Sequence, residues 1–165
     1  MQIELRKNCD YALLVPTSMG VRLTPLGGQP VHCSDTFTLK ATSAETNVAS
    51  VSSYLGLPVK VLTSFVKDNP FAQFIKDNLA SRHMDYEGKE IDRGGPWGYR
   101  HQINIADSGY GSRGPRVFND RAGEVQLEVE NVADACPAPP VDRLVVVAND
   151  ADVPSLVGEQ ADEVE

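Results

Sequence analysis

Arginines and aromatic residues concentrate in one stretch of an otherwise acidic chain. They lie between residues 97 and 121, and they are Trp97, Tyr99, Arg100, Tyr110, Arg113, Arg116 and Arg121. A guanidinium group can hold a carboxylate or a phosphate through two parallel hydrogen bonds, and an aromatic ring can cover the apolar face of a sugar. The same arginines could equally solvate the outer face of a β-hairpin. From the residues alone, both interpretations stay open.

A glycine pattern of the type Gly-x-Gly-x-x-Gly occupies residues 109–114. This pattern binds phosphate only where a strand leads into a helix whose free N–H groups face the anion. Here Pro115 and a strand-like Arg-Val-Phe follow, without a helical pattern. We therefore interpret residues 109–114 as a hairpin loop and not as a phosphate-binding loop.

Two polar side chains, Asn149 and Asp152, follow the apolar run 144–148 (Leu-Val-Val-Val-Ala), which is typical of a buried parallel strand. The carboxyl end of such a strand is where α/β sheets bind ligands. By composition alone, a capped turn is the favoured interpretation. No Gly-x-Ser-x-Gly, His-Glu-x-x-His or Gly-Lys-Ser/Thr sequence occurs, so serine hydrolases, zinc proteases and P-loop enzymes have no support.

Length and charge narrow the class of protein further. A chain of 165 residues with 41% hydrophobic and 23% charged residues suits one globular domain. Its formal charge of −8 argues against nucleic acid and anionic membrane surfaces as partners. The sequence has neither an apolar run of membrane-spanning length nor the pattern of a signal peptide. We therefore expect a cytoplasmic protein.

The cysteines and histidines do not suggest a metal site. They are Cys9, Cys33 and Cys136, and His32, His83 and His101. The cysteines are odd in number and widely spaced, which argues against a disulfide framework. His32 lies beside Cys33, but no further residue stands at a recognisable ligand spacing. We therefore expect no bound metal. We expect the cysteines to be small apolar thiols and the histidines to be surface imidazoles.

Strands and helices alternate in the first half of the chain. Apolar and alternating runs predict strands at 11–15, 21–24, 36–39 and 59–65. Residues 42–45 (Thr-Ser-Ala-Glu) have the spacing of a capping box and predict a helix that ends at Gly56. The apolar residues expected on one face of this helix are Val48, Val51 and Leu55.

A second helix is predicted to begin at a cap on Asp68, with an apolar stripe of Phe71, Phe74, Ile75 and Leu79. This order of elements predicts an α/β layered fold. After residue 94 the pattern changes to two alternating stretches around a glycine-rich loop at 108–114, which predicts a β-hairpin. A hairpin inserted in an α/β order is often a lid or an oligomerising flap.

Short sequences between residues 19 and 125 resemble the amino-terminal half of ribokinase-like (PfkB) carbohydrate kinases, closest to 2-keto-3-deoxygluconate kinases. They are 21–25 (Val-Arg-Leu-Thr-Pro), 44–49 (Ala-Glu-Thr-Asn-Val-Ala), 55–57 (Leu-Gly-Leu), 68–70 (Asp-Asn-Pro), 98–100 (Gly-Tyr-Arg) and 116–123 (Arg-Val-Phe-Asn-Asp-Arg-Ala-Gly). Residues 144–158 are similar to a later strand of that family and its Asn-x-x-acid motif.

The resemblance implies a Rossmann-like α/β body with a small β-sheet lid, its strands within 19–40 and 97–121. We expect one truncated ribokinase-like domain over residues 1–165, incomplete at the C-terminus. The family implies ATP and Mg²⁺, phosphorylation of a sugar hydroxyl, and a homodimer formed through the lid strands.

The resemblance also implies roles for individual residues. Its sugar-binding positions match Thr42, Ser43, Asn47, Arg100, Asn119 and Arg121 in this chain. Asn149 and Asp152 match positions associated with phosphate and Mg²⁺. Where the family usually has two glycines before the first helix, this chain has Thr42 and Ser43.

The Gly-Ala-Gly-Asp motif of the family does not occur in this sequence. That motif supplies the aspartate base and the helix N–H groups that stabilise the transferring phosphoryl group. We therefore expect no catalytic residue in this chain and no ATP bound by this chain alone. Three functions stay open: a sugar kinase or a fragment of one, a non-catalytic module that binds a sugar acid or dimerises, and a regulator that pairs with a full-length kinase through its lid sheet.

Overall fold

The computed structural model describes residues 10–125, which form two β-sheets and two α-helices. The strands are β1 (Leu13–Pro16), β2 (Gly20–Pro25), β3 (Phe37–Thr42), β4 (Val59–Val66), β5 (Asp85–Ile91), β6 (Ile103–Asp107) and β7 (Arg116–Asp120). The helices are α1 (Ala44–Tyr54) and α2 (Pro70–Ser81), and short 3-10 turns occupy Leu26–Gly28 and Val31–Cys33. The predicted α/β layered fold is confirmed. The strand predicted at 144–148 lies outside the described residues.

The body of the fold is a parallel sheet in the order β1-β4-β5. Helix α1 leads into β4, and α2 leads from β4 into β5, so both helices are crossover connections of the kind that parallel strands require. The centre of the core is formed by fully buried apolar side chains of β4 and α2, namely Val59, Val61, Phe65, Ile75 and Leu79.

The second sheet, which we call the lid, has the order β3-β2-β6-β7. Strand β2 pairs antiparallel with β3 and parallel with β6, and β6 pairs antiparallel with β7. The predicted hairpin is therefore confirmed as β6 and β7. Through the pairing of β6 with β2, it lies beside a first hairpin, formed by β2 and β3, that comes earlier in the sequence.

The glycine-rich loop between β6 and β7 closes on itself and does not open a helix. Tyr110 and Arg113 form an isolated bridge across it. Gly109 has a φ of +73°, and a Cβ there would lie 2.4 Å from the Arg113 carbonyl oxygen, so only glycine fits. The backbone N–H of Gly109 and the Arg113 guanidinium bond to Asp107 and lower the pKa of that carboxyl group. The interpretation as a hairpin loop is confirmed.

Helix α1 packs through a face other than the one that carries Val48, Val51 and Leu55. Val48 and Val51 are 63% and 61% exposed, and the buried side of the helix carries Thr46, Ala49 and Ser53. Small side chains allow α1 to lie close to β1 and β4, which it contacts. The face predicted to carry Val48, Val51 and Leu55 therefore points outwards, and small residues form the packed side.

Both helix caps lie one residue after the predicted positions. The Ser43 hydroxyl accepts a hydrogen bond from the Thr46 N–H at 2.9 Å, so Ser43 is the N-cap of α1 and Thr42 is not. Asn69 caps α2, while Asp68 has a positive φ of 55° in the preceding turn. The predicted apolar stripe of α2 is confirmed. Ile75 and Leu79 lie in the core, and Phe71 and Phe74 pack against it.

Strand β5 was not predicted from the sequence. Its residues are almost all exposed, because β5 lies at one edge of the described body sheet. An Asp-Tyr-Glu-Gly-Lys-Glu sequence lacks the apolar alternation by which strands are recognised. Pairing with β4 over its whole length, from Asp85 to Ile91, makes this segment a strand.

His101 is buried, contrary to the expectation of surface imidazoles, and it connects the lid with the body. Its side chain lies at 1% relative exposure beside Phe65. Nε2 accepts the backbone N–H of Val66 at 3.3 Å, and Nδ1 lies 3.0 Å from the carbonyl oxygen of Met19. Because Nε2 is an acceptor, Nδ1 must carry the proton that is donated to Met19.

We expect His101 to make the stability of this fold depend on pH. Burial lowers the pKa of His101, the charge of Lys76 acts in the same direction, and the Met19 carbonyl opposes both. The unfolded chain therefore takes up this proton at a higher pH than the folded chain, so the free energy of unfolding falls as the pH drops below about 6.5.

The measurement is the melting temperature between about pH 8 and pH 5. The loss of stability towards low pH should be smaller in the His101→Gln variant, which cannot titrate, than in the unmodified chain. His32→Gln is the control, since His32 is exposed. Equal pH dependence in the unmodified chain and His101→Gln would contradict this role.

Candidate ligand-binding site

The junction between β3 and α1 holds two of the predicted sugar-binding residues, Thr42 and Ser43. Both are buried, at 4% and 6% exposure. The Thr42 hydroxyl accepts a hydrogen bond from the Arg22 guanidinium at 3.0 Å, and Ser43 caps α1. Both hydroxyl groups therefore already have partners within the protein.

Asn47 lies one turn further along α1 and is exposed. Its side-chain oxygen is 3.5 Å from the guanidinium of Arg82, which also donates to the carbonyl of Ala41 at 3.3 Å. This long contact leaves the Asn47 carboxamide accessible to a ligand. Of the predicted residues near the start of α1, Asn47 is the one with an open side chain.

Arg100 and Arg121 are held by carboxylates at the end of β7. Arg100 pairs with Asp120 and donates to the carbonyl of Ala122, and Arg121 bonds to the buried Glu124 at 2.6 Å. The hydrogen bond from Arg100 lowers the pKa of Asp120, and the N–H of Ala122 adds to this effect. The Arg100 contacts tie the end of β7 to the segment before β6, whereas the Arg121–Glu124 pair stays within the segment after β7.

The two interpretations of the arginine cluster can now be compared. Arg100, Arg113 and Arg121 are each paired with a carboxylate of the same hairpin region, and Arg116 is exposed without an ion pair among residues 10–125. The aromatic residues of the cluster are exposed on two separate loops: Trp97, Tyr99 and Tyr110. The structure thus favours local pairing within the hairpin for most of this cluster.

Asn119 belongs to a line of polar residues that crosses all four lid strands. The register places Lys40 opposite Arg22, Arg22 beside Asn104, and Asn104 opposite Asn119. Residues paired in register point to the same face of a sheet. We call these four residues the polar row.

Thr42 points to the same face as the polar row, since it lies two residues after Lys40 on β3. Two predicted residues from distant parts of the sequence, Thr42 and Asn119, therefore share one face of the lid. Sequence reasoning missed the remaining members, Arg22, Lys40 and Asn104. The alternation Val-Arg-Leu-Thr in β2 was the available signal, because it assigns Arg22 to the polar side.

The opposite face of the lid is apolar. There the register aligns Leu39, Leu23, Ile105 and Phe118, which we call the apolar row. Towards the body this face continues into the core through Val21, Ala41 and Ile103. At the other end Phe118 is 56% exposed.

A separate open cleft of about 470 Å³ lies beside the end of β5. None of the predicted sugar-binding residues lines this cleft. Its walls are formed by Lys89, Glu90, Ile91, Asp92, Tyr99, Glu124 and Val125.

Asn149 and Asp152 lie outside the described residues. Among residues 10–125 we find no group of three or more potential metal ligands. That part of the chain also contains no helix long and apolar enough to cross a membrane.

The sequence matches no protein-family model, and no curated protein is significantly similar to it. Solved structures do match. The 2-dehydro-3-deoxygluconokinase of Thermotoga maritima has a TM-score of 0.61 at 20% identity, covering 74% of this chain and 38% of that one. A PfkB protein from Polaromonas sp. JS666 has a TM-score of 0.63 at 19% identity, with 74% and 40% covered.

A sugar kinase from Pyrococcus horikoshii, solved in complex with ATP, gives a TM-score of 0.55 at 17% identity, with 74% and 40% covered. Identities this low establish the fold alone. The structures similar to this chain are thus PfkB carbohydrate kinases, and the predicted resemblance is confirmed for the fold. The chain spans about two fifths of the length of these kinases.

Because Ser43 caps α1, we expect its replacement to act on stability first. Ser43→Ala should lower the free energy of unfolding by about 1 kcal/mol, whereas Ser43→Gly should cost only a few tenths, as is typical of N-cap positions. Urea denaturation of both variants measures the difference. An unchanged free energy of unfolding in Ser43→Ala would mean that the hydroxyl does not act as a cap.

Proposed function

We propose that residues 10–125 form the sugar-binding, lid-bearing part of a PfkB-type carbohydrate kinase, and that this chain alone does not transfer phosphate. The observation that carries the proposal is the lid itself. Its polar face continues from the start of α1, so that Thr42 and Asn119 share it, while its apolar face joins the core. A polar wall attached to the end of an α/β body suits a small hydroxylated ligand.

We also propose a cytoplasmic location, as predicted from the sequence.

The roles of individual residues belong to this proposal. Asn47 and Asn119 are exposed and can contact a sugar directly. Thr42 and Ser43 shape the start of α1, and Arg100 and Arg121 act from within their ion pairs with Asp120 and Glu124. Asn149 and Asp152 remain proposed as phosphate- and Mg²⁺-associated residues.

ATP is implied by the family, and a site for it needs N–H groups arranged around its phosphates. The one glycine pattern of phosphate-loop type in that region, 109–114, leads into β7 and not into a helix, so its N–H groups are not arranged around an anion. Residues 109–114 therefore do not form a loop that fits the nucleotide phosphates. Together with the absence of Gly-Ala-Gly-Asp from the sequence, this supports a chain without phosphoryl transfer of its own.

We expect the purified chain not to phosphorylate 2-keto-3-deoxygluconate with ATP and Mg²⁺. A coupled assay of ADP release measures this, with a complete 2-keto-3-deoxygluconate kinase as the positive control. Turnover that co-purifies with the chain and exceeds the blank without protein would disprove this part of the proposal.

The second part of the proposal is a homodimer formed through the lid strands. In the described lid β7 is an edge strand, so one side of its backbone is unpaired, and the apolar row ends there at a half-exposed Phe118. An open edge beside an apolar face is a surface that proteins usually cover. A second copy of the lid covers both features at once. A non-catalytic dimerisation module would use the same surface.

Phe118→Lys should convert the dimer to a monomer, because it places a charge in the apolar row. Val117→Lys is a matched control: Val117 is the neighbouring residue on β7, is 63% exposed, and points to the polar face. Sedimentation equilibrium at micromolar concentration measures the mass. A single species near 17.9 kDa for the unmodified chain would refute the dimer.

A further inference from the structure

The two edges of the described body sheet differ in chemistry. Strand β5, at one edge, is exposed and carries the charged residues Asp85, Glu87, Lys89 and Glu90. Charged side chains on an edge strand discourage pairing with a further strand. Strand β1, at the other edge, has the sequence Leu-Leu-Val-Pro after Tyr-Ala, so it is apolar on both faces. An uninterrupted apolar run of this kind is typical of an inner strand of a parallel sheet.

Strand β1 is also incompletely covered. Leu13 and Leu14 are half-buried, and among the residues 10–125 the strand pairs with β4 alone. The other side of its backbone therefore offers N–H and C=O groups to a further strand. Pro16 has no N–H, so the part of β1 that can pair fully on both sides is Leu13 to Val15.

Helix α1 carries an exposed group of apolar side chains, which we call the α1 patch. Its members are 48% to 75% exposed and are Val48, Val51, Tyr54, Leu55 and Leu57. Single exposed apolar residues are common on proteins, but a group of five on one helix and the turn after it usually marks a contact surface.

Part of the α1 patch lies on the side of the helix that faces away from α2. On the opposite side, Asn47 lies 3.5 Å from the Arg82 guanidinium, and the Ser53 hydroxyl donates to the Arg82 carbonyl at 2.7 Å. Each residue turns a helix by about 100°, so Val48 and Leu55 point away from this contact. Because α1 packs on β1 and β4 while α2 packs on β5, these two side chains adjoin the free edge of β1.

The run 144–148 (Leu-Val-Val-Val-Ala) has the composition that this edge requires. After Val125 it is the only run of five consecutive apolar residues in the sequence, and like β1 it is apolar on both faces. The residues before β1 suit a buried position less well, because residues 1–9 include Glu4, Arg6 and Lys7.

The length of chain between Val125 and this run also suits a parallel neighbour of β1. Parallel strands need a connection of a dozen or more residues, and residues 126–143 provide it. Even half extended, a chain of this length spans about 30 Å. The three described strands of the body are together only about 10 Å wide, so the run can reach β1.

We propose that residues 144–148 pair with the free side of β1 as a fourth parallel strand of the body sheet, and that residues 149–158 cover the adjoining part of the α1 patch. The parallel direction brings Asn149 to the edge of the sheet at which β1 ends. There the Thr17 hydroxyl donates to the buried Glu45 carboxylate at 2.8 Å, and α1 begins. This placement is argued from the fold and does not require that the chain binds a sugar.

The first experiment identifies what covers the α1 patch. The photoreactive residue p-benzoylphenylalanine is placed at position 48 of the full chain, and mass spectrometry locates the cross-link. We expect a link to residues 144–158 of the same chain. A link to residues 1–9, a link between two copies, or no link would each overturn the proposal. Val117 is the control position, since it is also 63% exposed but lies on the lid, and a link from it to 144–158 would count against the proposal too.

The second experiment measures whether the patch is covered. Lysine has a higher helix propensity than valine, so Val48→Lys at an open site should leave the melting temperature unchanged or slightly raised. On a covered patch it should lower the melting temperature by about 4 °C or more, and Val146→Asp should cause a similar fall. Gln73→Lys is the matched control, because Gln73 is exposed on α2 and bonds to Asp77, as a lysine can do.

The outcomes also separate this inference from the proposed function. An unchanged melting temperature in Val48→Lys and Val146→Asp would overturn it. A fall in Val146→Asp alone would place the run elsewhere in the fold, a fall in Val48→Lys alone would assign the patch to a different partner, and either result contradicts the proposal. None of these measurements involves a sugar, so their failure leaves the proposed sugar binding to its own tests.

Discussion

The position of the lid depends on one buried side chain, His101. Its two ring nitrogens bond to backbone groups of two different sheets: the N–H of Val66 at the end of β4, and the carbonyl of Met19 directly before β2. The pairing of β4 with β1 ends at Leu62, four residues before Val66, and Met19 lies one residue before the start of β2. A neutral imidazole, which is a donor at one nitrogen and an acceptor at the other, satisfies both at once. Together with the packing of Val21, Ala41 and Ile103 in the core, this connection holds the lid on the body.

Once the lid is held in place, simple alternation along its strands determines what each face can do. Strand β2 lies between β3 and β6, so its register aligns both hairpins with each other. Leucine, isoleucine and phenylalanine fall in one row, and lysine, arginine and asparagine fall in the other. A shift by one residue in the pairing of β2 would turn Arg22 to the apolar face and Leu23 to the polar face. The separation of an apolar surface from a polar one therefore rests on the register and not on any single residue.

Charge pairing then decides which arginines are available. Arg100, Arg113 and Arg121 each have an acidic partner within the same hairpin region. The Arg113–Asp107 pair closes the loop between β6 and β7, and the Arg100–Asp120 pair joins the segment before β6 to the end of β7. Arg22, on a different strand, has a hydroxyl partner instead. Arg22, which stood out least in the sequence, thus has no acidic partner among residues 10–125, and the same holds for the exposed Arg116. An arginine cluster in a sequence indicates a charged surface, but the partners determine whether that surface can bind anything.

The sequence by itself determined the α/β order, the hairpin loop at 109–114 and the likeness of the fold to PfkB carbohydrate kinases, because hydrophobic periodicity, glycine positions and short motifs are local signals. It predicted neither β5, which is a strand only because β4 pairs with it, nor the outward apolar side of α1, which depends on the close approach of its small residues to the sheet. The burial of His101 and the alignment of Arg22 with Asn104 and Asn119 were likewise decided by tertiary structure alone. Each of these features joins residues from distant parts of the chain, and such contacts leave no periodic trace in the sequence.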